Sequence, residues 1–213
     1  RMKFYNADGT EAEMCGNGVR CIARFAYETG VAKQQMTIET KAGNVDCWRL
    51  DKRQYKVQIN EPSVENFDLS FPETDFLVDY VKLGNPGVPH VVVHYPQLKE
   101  IPLKEMKALA QKMRSWNALD RGANVNFYAI DENDEVTLRT FERGVEDFTL
   151  ACGTGAVSTA YVLKKKQLVQ KDSVTLHVLG GILEVEEKNQ HFYLMGDTNI
   201  VIKGYIGDED LIV

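Results

Sequence analysis

Two stretches of this chain place a reactive side chain in the same local frame. Residues 13–21 read EMCGNGVRC and residues 150–160 read LACGTGAVSTA. Each sets a cysteine, Cys15 or Cys152, before Gly-x-Gly and a helix-like run. The stretches agree again further along, at Ala23 and Ala160. A thiol at a helix N-terminus feels unpaired N–H groups and the positive end of the helix dipole. Such sites can bring a thiol pKa from ~8.5 down to ~3.5–7.5. Flanking glycines let a ligand approach the backbone, and the same N–H groups can hold a carboxylate. Two such helix ends aimed at one cleft would put a thiol on each side of the carbon next to a bound carboxylate. One thiolate could then take the α-proton from one face while the other thiol returns a proton to the opposite face. Convergent N–H donors would stabilise the charge that develops on the carboxylate. The two thiols should titrate as a coupled pair. Oxidation could join them if their Cα atoms lie ~4.4–6.8 Å apart.

Other uses of these residues fit less well. Structural zinc wants Cys-x2–4-Cys pairs, whereas Cys15 and Cys21 enclose five residues and Cys152 has no near neighbour. His90 and His94 lie in a strand-like run, where four residues at ~3.3 Å each hold them about 13 Å apart. GTGAVST lacks the Gly-Lys-Ser/Thr ending of a phosphate loop, and Ser158 stands where a dinucleotide fingerprint wants its third glycine. Cys47, on an alternating strand, and Cys21, on the same helix as Val19 and Ile22, read as buried structural cysteines.

The elements that must position the two thiols are legible in outline. Val19, Ile22, Ala23 and Ala26 predict a helix over 17–29, closed by Gly30. Strands are expected at 35–40, 44–50 and 54–60. Residues 61–75, rich in Pro, Glu, Asp and Asn, read as a junction. This gives an N-terminal half over 1–62 and a C-terminal half over 63–203, with a final strand, 204–213, returning to the first half. The second half should hold a strand at 77–83, a Gly/Pro turn at 84–89 and a buried strand through HVVVHY. An amphipathic helix at 102–116 follows, with Met106, Leu109, Met113 and Trp116 on one stripe. A hairpin from 124–130 to 135–141, a helix at 154–165, and strands at 173–179, 182–187, 190–195 and 199–206 complete it. Two related halves, each of strands around a helix, fit this order better than one continuous sheet.

The chain has 213 residues and a net charge of −6. The acidic balance argues against nucleic acid as a partner. No long apolar run suits a membrane span, and no leader pattern precedes the body. Four cysteines in a chain this long do not form a disulfide framework, so a reducing cytoplasm is the expected compartment.

The stretches FYNADGTEAEMCGNGVRCIARF (4–25), GVPH (87–90), GANVNF (122–127), TFERG (140–144) and TLACGTGA (149–156) resemble the diaminopimelate epimerase family, in the family's order. The resemblance runs over essentially the whole chain. It implies an α/β (α+β) fold of two pseudo-symmetric halves, each a mostly antiparallel sheet or barrel around a central helix. It also implies a cofactor-independent epimerase that interconverts LL- and meso-2,6-diaminopimelate in lysine and peptidoglycan synthesis. By motif match, Cys15 and Cys152 are the acid/base thiols. Gly16, Asn17, Gly153 and Thr154 would hold the α-carboxylate through backbone N–H groups. Asn6, Asn85, Asn124, Glu142 and Arg143 would contact the rest of the substrate. Glu142 suits an ammonium and Arg143 a carboxylate. The expected partner is a small amino acid, with a homodimer and an N-terminal segment preceding Arg1 as further expectations. The chain departs from the family pattern at GNPGVPH, where Asn85 or Val88 takes the family's Asn position, and at Phe148, where a polar residue is common. These departures leave room for another amino acid, such as histidine, as substrate, and the expected segment ahead of Arg1 leaves room for a non-catalytic fragment.

Overall fold

The computed structural model describes residues 1–5, 9–72, 74–119 and 121–204. Asn6 and residues 205–213, and with them nearly all of the expected returning strand, lie outside the described residues.

A short hairpin, β1 (Phe4–Tyr5) and β2 (Glu11–Ala12), precedes helix α1 (Gly16–Glu28). Strands β3 (Gln35–Thr40), β4 (Gly43–Arg49) and β5 (Gln54–Ile59) form an antiparallel meander against which α1 packs. Next come β6 (Pro62–Ser70), β7 (Leu77–Gly84), β8 (Gly87–His94), α2 (Leu103–Arg114), β9 (Asn124–Ile130), β10 (Val136–Glu142) and β11 (Asp147–Phe148). Helix α3 (Gly153–Lys165) and strands β12 (Ser173–Val178), β13 (Gly181–Lys188) and β14 (His191–Asp197) follow. Apart from β1 and β2, all the strands belong to one sheet, ordered β3-β4-β5-β14-β13-β12-β10-β9-β8-β7-β6, with β11 beside β10. Among the described residues, only β8/β9 and β10/β12 run parallel.

The sheet is continuous where separate sheets were expected. The link is β14, which pairs with β13 on one side and with β5 on the other, Leu194 opposite Val57. The two-helix plan is nevertheless present within it. Helix α1 packs on β3, β4 and β5, and α3 packs on β7, β8, β9, β13 and β14. Every residue of α3 from Gly153 to Leu163 is buried, as suits a helix that is small or apolar all round. Both helices share one core, in which Ala23 and Ala160 are fully buried. Helix α2 lies over a second core with Phe127 and Phe141.

Three local expectations change. Residues 62–70 are a strand rather than a junction. As the last strand of the path, β6 satisfies its backbone against β7 while its polar side chains stay exposed, so composition hides it. Residues 198–204 are not a strand, because both edges of β14 are already taken. Helix α1 is rotated from its predicted face. It buries Gly16, Val19, Arg20, Ala23 and Arg24, whereas Ile22, Phe25 and Cys21 are exposed. Cys21 is therefore not a core cysteine; Cys47 is fully buried. Among the described residues no helix is long and apolar enough to cross a membrane.

Candidate active site

Cys15 and Cys152 are the N-cap residues of α1 and α3, both with extended backbone. The Gly18 N–H donates to Cys15 Sγ at 3.3 Å, and Cys152 Sγ lies 3.6 Å from Thr154 Oγ1. The two helix ends abut. A Cβ built on Gly153 would stand 3.2 Å from the Gly16 Cα, and one on Gly16 would stand 3.4 Å from the Gly153 Cα. Glycine at both positions is what permits this approach, with Leu194 of β14 packed beneath the pair. Both thiols open onto one cavity of about 600 Å³.

That cavity collects most of the residues named from sequence. Gly16, Asn17, Gly153 and Thr154 line it at the helix ends, and Asn124, Glu142 and Arg143 line it as well, with Glu142 in hydrogen-bond contact with Cys152. The first-turn N–H groups have no partners within their helices, which leaves a cluster of donors between the thiols. Asn17 turns its side chain aside, its Nδ2 donating to Ala151 O at 2.9 Å, so its contribution to a ligand would come from its backbone. Asn124 Oδ1 accepts from the Arg143 N–H at 2.8 Å and fixes the turn after β10. Thr149 Oγ1 donates to Glu142. Behind α3, Asn126 Nδ2 lies 3.1 Å from His90 Nδ1, and Thr140 Oγ1 donates to Asn126 Oδ1 at 2.9 Å. A Cβ on Gly155 would come within 2.2 Å of Asn126 Oδ1, so this buried network sets the seat of the α3 N-terminus.

Asn85 sits elsewhere. It lies between β7 and β8, at the tip of their hairpin, and lines a smaller neighbouring cavity of about 180 Å³. Val88 lines the thiol cavity. Glu13, Arg121 and Arg143 line both. Phe148 packs edge-on to Phe141 and beside Phe127, as part of the second core rather than the cavity wall. Sequence reasoning passed over Glu11, Glu13, Lys41, Arg114 and Arg121, all of which line the cavity. Glu11 and Glu13 lie within the 4–25 stretch but were given no role, and Lys41, Arg114 and Arg121 are brought to the cavity only by the fold.

The electrostatics correct one expectation. Burial raises both thiols rather than leaving them low, and the Glu142 charge raises them further. The N–H groups at the helix ends pull the other way but do not prevail. The desolvation that accompanies a closed site outweighs a few partly aligned donors. Burial likewise raises Glu142, against hydrogen bonds from Thr149 and Cys152.

The diaminopimelate epimerase family model matches residues 1–64 and 83–201. The diaminopimelate epimerase of Methanothrix thermoacetophila is 36% identical over 222 residues, covering 99% of this chain and 76% of that protein. That of Aquifex aeolicus is 34% identical over 216 residues, covering 99% and 76%. Among solved structures, a probable proline racemase from Agrobacterium radiobacter superposes with a TM-score of 0.70 at 16% identity, covering 96% of this chain and 71% of that one. A phenazine biosynthesis protein from Enterococcus faecalis gives 0.65 at 18%, covering 96% and 77%. These last two likenesses concern the fold alone. On the sequence matches and the paired cysteine caps, the chain belongs to the diaminopimelate epimerase family of amino-acid epimerases.

Proposed function

We propose that the chain interconverts LL- and meso-2,6-diaminopimelate by a two-thiol, cofactor-independent exchange of the α-proton, in lysine and peptidoglycan biosynthesis. The observation that carries this reading is the pair of cysteine N-caps sharing one cavity across abutting helix ends. The α-carboxylate lies among the first-turn N–H groups of α1 and α3. One cysteine, as thiolate, takes the α-proton and becomes a thiol. The electron pair of the broken C–H bond moves into the carboxylate, where the helix-end donors stabilise it. The other cysteine gives its proton to the opposite face of the carbon and becomes the thiolate. Nothing is oxidised or reduced, and the two roles exchange for the reverse direction.

Glu142 has a place in this scheme. Its charge opposes thiolate formation at both cysteines. An α-ammonium beside it offsets that charge, so the arriving substrate itself makes the thiolate easier to form. Arg143 suits the distal carboxylate. A reducing compartment such as the cytoplasm keeps both thiols available.

The test is loss of the α-hydrogen signal in deuterated water, followed by NMR, with LL-diaminopimelate and with simple amino acids such as histidine. Exchange with LL-diaminopimelate and formation of the meso isomer support the reading. Exchange only with a simple amino acid would assign a different substrate to the same site, and exchange with none would mark the chain as non-catalytic.

A further inference from the structure

We propose that Arg20 is a positioning residue for the thiol pair, holding Asn17 in a strap that joins the first turn of α1 to the segment just before Cys152. The inference rests on the two-thiol reading. Arg20 is only 4% exposed, yet no carboxylate pairs with it among the described residues, and its Nε and Nη1 have no hydrogen-bond partner. Its one hydrogen bond runs from Nη2 to Asn17 Oδ1 at 2.8 Å. Asn17 Nδ2 in turn donates to Ala151 O at 2.9 Å. Ala151 immediately precedes Cys152, and Asn17 lies two residues past Cys15. Two hydrogen bonds anchored on one guanidinium thus couple the residues flanking both caps.

The surroundings are shaped for this group. A Cβ on Gly196 of β14 would come within 3.3 Å of Arg20 Nη2 and 3.4 Å of its Cζ, so glycine there leaves the slot the guanidinium fills. A buried cation without a counter-ion is costly, and an apolar side chain would pack at less expense. What the cation gains here is Asn17 and proximity to Cys15. The charged and titratable groups around it are few. Cys15 and Cys21 face it from α1. Arg53, Asp197 and Glu184 line a cavity that Arg20, Asn17 and Cys21 also line, with Arg53 and Asp197 paired to each other at 3.2 Å. At Cys15 the Arg20 charge favours the thiolate while burial and Glu142 oppose it.

The experiment compares Arg20→Met and Arg20→Lys with the parent. It reads the pH dependence of iodoacetamide alkylation at Cys15 and Cys152, resolved by peptide mass mapping, together with α-proton exchange. In Arg20→Met the Cys15 midpoint should rise, with exchange at neutral pH down several-fold and KM little changed. In Arg20→Lys the charge is kept, so the Cys15 midpoint should stay near the parent's and part of the rate should return. A folded Arg20→Met with the parent's midpoints overturns the proposal. If Arg20→Met does not fold, the guanidinium N–H resonances of the intact protein decide, assigned by their loss in Arg20→Lys. They should shift as Cys15 ionises and lose that response in Cys15→Ser; resonances that never respond overturn the proposal. Absence of exchange in the parent would sink the two-thiol function, while the alkylation midpoints would still report on Arg20.

Discussion

Gly16 and Gly153 meet so closely that a methyl group on either would stand 3.2–3.4 Å from the α-carbon of the other. This contact brings the capping thiols, one residue earlier in each chain segment, to one cavity. It also explains why both motifs need glycine straight after cysteine. Gly153→Ala would set its methyl 2.8 Å from Leu194 Cδ2 as well. The expected cost is about 1–3 kcal/mol of stability from overpacking. Substrate exchange should fall further than stability does, by about a hundredfold, because the two caps are forced apart. Thermal melts and exchange rates on the same sample check this. A variant with the parent's rate would mean that the helix ends need not touch for the chemistry.

Glu142 should trade stability for function. Burial holds its carboxyl above the ordinary range, so the folded state binds a proton more tightly than the unfolded chain. Its contribution to stability is therefore fully present below the ordinary carboxylate pKa and is lost as pH rises through the raised value. Glu142→Gln removes that loss. Its Tm should exceed the parent's at pH 7–8, by about 2–4 °C per kcal/mol regained, and converge with it near pH 4. Weaker hold on the α-ammonium should raise KM about tenfold or more, as for a hydrogen bond to a charged group. A Tm difference that does not vary with pH would contradict the assignment.

Oxidation should silence the enzyme reversibly. The thiols cap helices that abut, and all four cysteines are free in the structure. Burial pushes the Cys47 thiol up to about 12, which keeps it unreactive. In a Cys21→Ser background, mild oxidant should yield a Cys15–Cys152 peptide by mass mapping, with activity lost in step and restored by dithiothreitol. Full activity in a sample whose two thiols are bridged would count against the two-thiol mechanism, and failure to form the Cys15–Cys152 peptide would count against the disulfide.

The two caps were legible in sequence because Cys-Gly-x-Gly states a local fact. A residue with an acceptor side chain, then glycines, then small or apolar residues starts a helix, and both helices begin where that pattern puts them. Pairing of the caps was legible only through the repeat. Other features depend on partners that sequence does not name. Of the stripe Val19, Ile22, Ala23 and Ala26, Val19 and Ala23 are buried as expected, but Ile22 is exposed, and the helix instead buries Arg20, beside Gly196 of β14, and Arg24, which donates to Thr198. The acidic run at 62–70 hid an edge strand for the opposite reason, since an edge strand needs backbone partners but no apolar side chains. The low thiol pKa expected at a helix end failed because burial, which no local motif encodes, outweighs the helix-end N–H groups.

The central claim is that two thiols act on opposite faces of one carbon. Its most direct test is the rate of α-deuterium incorporation, with LL- and with meso-diaminopimelate, in Cys15→Ala and Cys152→Ala. Each substitution should lower epimerisation by about a hundredfold or more, since each removes an acid/base group. Epimerisation at the parent's rate in either variant would show that one of these sulfurs takes no part.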